Sequence, residues 1–321
     1  MSCIRPMICS DPAGRSRDIT IPWRNHLTQW AARLAGKPFA CHAEGVGHAE
    51  WGRGPGAVVL NTDGMEGCIL ATDAHRKLIT RLDMIADLND EDRAALSALP
   101  IAVRDVAADT DIVSEGETVS QCCILIEGFT YRYRNIRDGR RQIIAFNVPG
   151  DIPDLHSLHI RRMDHSFAAT TPSRVGFVSH KAVWNLCRER PNVAAALWLE
   201  TLIDGAIFRE WIVGLGRLSG KSRTAHLLCE LAVRLRAVQL APDLVYHLPL
   251  TQHELADALG LTVVTVNRVL QELKAENLIE RERSRMTIKD WSAFARVGDF
   301  DPKYLHFRQQ VYMAPGSPKE N

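Results

Sequence analysis

No run in this chain is long and apolar enough to span a bilayer. No continuous apolar stretch accompanies Arg5, Arg15 and Arg17 near the start, so no secretory signal is read there. A cytoplasmic protein with no membrane partner is expected. In that compartment the eight cysteines are expected as thiols rather than disulfides. Enzyme signatures are also missing. There is no phosphate-binding loop, no nucleophile–base arrangement and no zinc-protease motif, so no catalytic residue is assigned. Nor does one sign of charge dominate: 39 Lys and Arg face 38 Asp and Glu, a net +1 that gives no global attraction for nucleic acid. What remains is an ordinary globular composition, 46% hydrophobic and 24% charged. Its 321 residues are enough for two domains with cores.

The stretch TQHELADALGLTVVTVNRVLQELKAE, residues 251–276, is the most informative. Thr251 with Glu254 three residues later forms a capping box that opens a helix. Leu255, Ala258 and Leu259 give it an apolar face. Gly260 stops it, because glycine takes the left-handed conformation without steric cost. Thr262 caps a second helix, whose buried stripe is Val266, Val269, Leu270 and Leu273. The other face shows Val263, Val264, Asn267, Arg268 and Gln271. Two short helices dressed this way predict a helix-turn-helix with its second helix in a DNA major groove. The plainer alternative is a helical hairpin in a core. Leu278-Ile279 and Met286-Thr287-Ile288 around the polar ERERSR suggest a β-hairpin wing, and Leu248-Pro249-Leu250 a short extended segment.

The segment 245–291 is not basic. Its Lys and Arg are offset by acidic residues, which counts against a simple electrostatic footprint. Arg217, Lys221, Arg223, Arg234 and Arg236 just upstream are expected to compensate, since phosphate contacts are local.

Along the chain, residues 1–74 read as a poorly structured extension rich in Gly, Pro and Ala. One expectation is that translation starts at Met65 or Met84, leaving 1–64 outside the native protein. Helical spacing follows in Leu78, Leu82, Ile85 and Leu88, then Asn89 as a cap. Short alternating or β-branched runs come next: 102–106, 111–113, 123–126, 130–134, 142–146, 166–170 and 174–178. Asp138-Gly139 marks a hairpin between two of them. Residues 75–190 therefore read as a β-roll or barrel. Residues 191–217 form a helix apolar nearly all round, which predicts a homodimer through it. The alternative is a helix central to one large domain. Residues 218–297 carry the winged helix-turn-helix, and 298–321 read as a tail.

This order of parts resembles the Crp/Fnr superfamily of bacterial transcription regulators. The resemblance rests on TQHELADALGLTVVTVNRVLQEL at 251–273, on Asp138-Gly139-Arg140-Arg141-Gln142-Ile143-Ile144-Ala145-Phe146, and on Pro149-Gly150-Asp151. It implies an α+β protein: a cyclic-nucleotide-binding-like β-roll, a long dimerisation helix and a C-terminal winged helix. It also implies a sequence-specific DNA-binding regulator, with double-stranded DNA, a second copy of itself and RNA polymerase as partners. Dimers of this kind read a near-palindromic operator. By the resemblance Arg268 reads a guanine edge, Asn267 a base edge, and Thr262 and Thr265 touch phosphates. The plainer role for Arg268 is a phosphate contact or a solvated charge. At Val264 many relatives place Glu, so the half-site is expected to differ from theirs.

The family's cyclic-nucleotide site uses a Gly-Glu step and an Arg-Ser pair. Here Pro153 and Asp154 stand for the first, His165 and Ser166 for the second. Proline has no N–H to donate. Asp154, His165 and Ser166 remain as ligand-pocket candidates, but cAMP or cGMP is not expected. An iron–sulfur cluster is not expected either. Cys3, Cys9, Cys41 and Cys68, then Cys122 and Cys123, include no C-x-x-C. His156, His159 and His165 with Asp154 and Asp164 form the one metal-like cluster. Scattered histidines are ordinarily structural, so no metal and no other cofactor is expected. The alternative to an unidentified signal is a cyclic-nucleotide-responsive or metal- or redox-responsive regulatory module.

Overall fold

The computed structural model describes residues 64–308, with side chains from Asp73 onward. Expectations for 1–63 and 309–321, including Cys3, Cys9 and Cys41, lie outside the described residues, as does the side chain of Cys68. Helix α1, Gly64–Asp83, starts ten residues before the boundary expected at 74, so part of the supposed extension is helical. Helix α2, Asp90–Ser97, opens with a full capping box. Asp92 N donates to Asn89 Oδ1 at 2.8 Å, and Asn89 N to Asp92 Oδ2 at 3.2 Å.

Seven strands follow: β1 Ile101–Val106, β2 Asp111–Val113, β3 Gln121–Glu127, β4 Thr130–Asn135, β5 Arg141–Asn147, β6 Ser166–Ala169 and β7 Ser173–Ser179. They form two antiparallel sheets, ordered β1-β7-β3 and β2-β6-β4-β5. The β4–β5 hairpin turns at Asp138-Gly139, where Gly139 has φ +85. A positive φ there is what makes glycine the fitting residue. Leu125, Phe167, Val175 and Met163 fill one side of the roll. Ile124, Ile143 and Phe146 join the larger core that runs into the helices. A 3-10 turn, Leu155–Leu158, crosses between β5 and β6.

Ser179 caps helix α3, His180–Glu189. Helix α4 spans Pro191–Arg217, with Pro191 in its first turn, where the missing N–H costs nothing. Val193, Ala196, Leu197, Ile203, Ala206 and Ile207 are buried along it. Trp198, Leu202, Ile212, Val213 and Leu215 stay exposed, Trp198 by 70%. A single chain leaves this second apolar face open. Among the described residues no helix is long and apolar enough to cross a membrane.

The C-terminal part comprises α5 Gly220–Ala237, β8 Val245–His247, α6 Gln252–Leu259, α7 Val263–Ala275, β9 Ile279–Glu282, β10 Arg285–Ile288 and α8 Trp291–Val297. Its strands form one sheet, ordered β8-β10-β9. The third strand comes from 245–247, just before the segment expected to be extended. The stretch after α8 is not a loose tail: Phe300, Leu305 and Phe307 are buried. The 3-10 turn Pro302–Leu305 packs on α4. The Arg81 guanidinium lies 5.3 Å over the Phe307 ring, and Arg308 N donates to Met84 O at 2.8 Å.

A buried charge network joins these parts. Arg234 of α5 donates to Asp151 Oδ2 at 2.6 Å and to Glu230 Oε1 at 2.9 Å. Arg81 of α1 donates to Glu200 of α4 at 3.0 Å. Glu230 Oε2 also accepts from Trp211 Nε1 and Tyr304 OH, both at 3.0 Å. Charges this deep persist only when paired and hydrogen-bonded.

Candidate nucleic-acid interface

Thr251 and Glu254 cap each other at the start of α6: Thr251 N donates to Glu254 Oε2 at 2.7 Å, and Glu254 N to Thr251 Oγ1 at 3.1 Å. Gly260 then takes φ +60, ψ +40 and ends the helix. Thr262 starts α7, with Thr265 N donating to Thr262 Oγ1 at 3.1 Å. Val266, Val269, Leu270 and Leu273 are buried, which fixes the roll of α7 about its axis. The face turned outward holds Val264, Asn267, Arg268, Gln271 and Lys274.

Each predicted contact residue has a definite place. Val264 is 79% exposed, alone at the tip of the helix. Arg268 is exposed and meets Glu272 one turn on, at 3.5 Å. Such a surface pair is weak, so the guanidinium is available to another acceptor. Asn267 Nδ2 donates to Gln252 Oε1 at 3.2 Å. The hydroxyls of Thr262 and Thr265 share a hydrogen bond at 2.8 Å. Val263 differs: it is half-buried against the core, so it steadies α7 more than it faces outward. Beside α7, Gln252, Gln271, Lys274, Arg281 and Arg283 line a groove toward the wing. Arg281 and Arg283 of the wing belong to that surface, beyond the helix residues that the motif alone picks out.

Not all of the upstream basic residues expected to compensate face outward. Arg234 points into the network described above and is 6% exposed. Lys221 pairs with Glu276, and Arg223 donates to Leu215 O at 3.3 Å. Sequence gives the charge of Arg234 but not its direction.

In the β-roll, a small pocket, about large enough for a water molecule, lies between the 150–156 segment and α4. Pro153, His156, Arg132 and Asp204 line it, whereas Asp154, His165 and Ser166 do not. Asp154 is fully buried and accepts from Cys123 N at 2.7 Å. Burial pushes its carboxyl up to about 6. Ser166 Oγ accepts from Glu115 N at 3.0 Å. Arg132 gives two hydrogen bonds to Asp204, one at 2.7 Å, and one to Pro153 O at 3.2 Å. His156 and His165 come together, with ring centroids 5.1 Å apart. Burial pulls His156 down to about 4 and lowers His165 as well. His159 is apart from them and meets the Trp184 ring at 5.0 Å. Cys122, Cys123 and Cys229 are buried, and burial pushes their thiols up.

With this geometry in view, comparisons with known proteins agree on both halves. Residues 103–190 match the cyclic nucleotide-binding domain and residues 222–297 the Crp-like helix-turn-helix domain. The transcriptional activator protein FnrL of Cereibacter sphaeroides is 28% identical over 226 residues, covering 70% of this chain and 87% of that protein. The nitrogen fixation regulation protein FixK of Bradyrhizobium diazoefficiens is 31% identical over 170 residues, 52% of this chain and 70% of that protein. The structure of FixK2 from Bradyrhizobium japonicum superposes with a TM-score of 0.57 at 24% identity, over 62% of this chain and 98% of that one, and shares its fold. Sheet order, helix order and reading helix thus converge: the chain belongs to the Crp/Fnr superfamily and is a DNA-binding transcription regulator rather than an enzyme.

Proposed function

We propose that the chain works as a homodimer through α4 and reads a near-palindromic operator with one α7 in each half-site. The observation that carries this is the outward face of α7. It presents Val264, Asn267 and Arg268 free of the core, while four buried residues fix its orientation. Dimers of such helices meet half-sites about 34–36 Å apart, or a multiple of that. The exposed apolar residues of α4, Trp198, Leu202 and Ile212 among them, support the second copy as their cover. In this reading Arg268 reaches a guanine edge, Thr262 and Thr265 set the register on phosphates, and Asn267 touches a base edge once it leaves Gln252. RNA polymerase is the proposed protein partner at the promoter.

Neither a cyclic nucleotide nor an iron–sulfur cluster is proposed as the signal. His165 stands where the family's site has the arginine of its Arg-Ser pair, and Pro153 has no N–H to offer a phosphodiester. Selection from a random DNA library tests the reading. Arg268→Ala should lose about 1–3 kcal/mol of discrimination at one base pair per half-site. An unchanged sequence preference would refute the role given to Arg268. Sedimentation of the free protein tests the dimer.

A further inference from the structure

His156 and His165 lie away from the reading helix, and DNA binding makes no use of them. One ligand atom from each of His156, Asp164 and His165 lies within 4.8 Å of the others. Both Nε2 atoms are closed off from solvent and have no hydrogen-bond partner. His165 is only 7% exposed. Buried polar atoms without partners are uncommon, and two on neighbouring rings call for a shared one. His165 Nδ1 meets Asp164 Oδ1 at 2.7 Å. A carboxylate accepts, so the His165 ring donates from Nδ1 and its Nε2 keeps a lone pair. A carboxylate that orients an imidazole for a metal works in the same way.

We propose that His156 and His165 bind one borderline first-row divalent cation, zinc(II) in the first instance, with Asp164 orienting His165. Imidazole nitrogen with carboxylate oxygen in reach suits such an ion and not calcium or magnesium. Arg132 opposes a cation nearby, but its charge is offset by Asp204. Asp204 belongs to α4, so an ion on the histidines bears electrostatically on the long helix. His159, set against Trp184, takes no part.

The site can be tested by titrating the untagged full-length chain with zinc(II) in a calorimeter. Cobalt(II), followed by visible absorption, serves as the spectroscopic probe. One ion per chain is expected. His156→Ala and His165→Ala should each abolish the saturable site, and His159→Ala should leave it intact. Asp164→Asn should weaken it about 10–100-fold. Absence of saturable binding would overturn the proposal, as would equal binding by the His156→Ala/His165→Ala double variant. Circular dichroism checks that each variant folds. Should the alanine variants fail that check, Asp164→Asn decides: unchanged zinc(II) affinity overturns the site.

Discussion

Val264 has the highest exposure among the large apolar side chains described, and it stands on the face that meets DNA. Valine can pack on a thymine methyl but cannot accept from cytosine. Val264→Glu should therefore shift the selected base toward cytosine, by about 1–3 kcal/mol in binding competition. Folding stability should move by no more than about 0.5 kcal/mol, as expected for a surface site without partners. Asp154 is the opposite case, buried, with Oδ1 accepting from the backbone N–H of Cys123. Its carboxyl rises from 3.8 to about 6, so the folded state holds the proton longer than the unfolded state. The associated stability is full below pH 3.8 and is lost as pH climbs to about 6. At neutral pH that loss is on the order of 3 kcal/mol. His156 works in the other direction, costing stability as pH falls from 6.5 to about 4. Asp154→Asn should flatten its share of the profile and melt higher than the parent at pH 7–8. A variant that melts lower there, with an unchanged profile, would contradict this account. Sequence shows that both positions exist but not that Asp154, a ligand-pocket candidate, turns away from the pocket. Which way a short side chain turns within a strand-linking segment depends on distant packing.

Elements defined by local chemistry were the legible ones. The capping boxes at Asn89 and Thr251, the left-handed Gly260 and the Asp138-Gly139 turn all depend on residues within four positions of each other. The seven strands of the roll appear where short alternating runs placed them, each within a residue or two. The cap at Thr251 and Glu254 sets where α6 begins, as Thr262 does for α7. Thr251→Ala removes one half of that cap and should cost about 1 kcal/mol, measured by urea unfolding. An equal urea midpoint would mean that tertiary packing alone holds α6. The third strand of the wing sheet was missed because β8 has only three residues and draws its definition from β10.

At the scale of the whole molecule, long-range ion pairs decide what the parts do together, and these were not legible. Arg81 and Glu200 lie 119 residues apart, and Arg234 and Asp151 83 apart. Nothing local announces either pairing. Arg234→Met should destabilise the protein by about 3–5 kcal/mol, because Asp151 and Glu230 are then left charged and buried. Thermal melting with intact DNA contacts in the residual folded fraction would separate this from a loss of phosphate binding. The same view gives weight to the turn at Pro302–Leu305 and the buried residues around it. Arg308 lies 222 residues beyond Ala86, whose carbonyl accepts from it. At about 5–20 residues per second, a ribosome needs roughly 11–44 s to cover that distance. Helix α1 thus leaves the exit tunnel well before the chain that covers it has been made. The first half of the regulator must keep that apolar surface from other nascent chains until translation reaches the segment that closes over it.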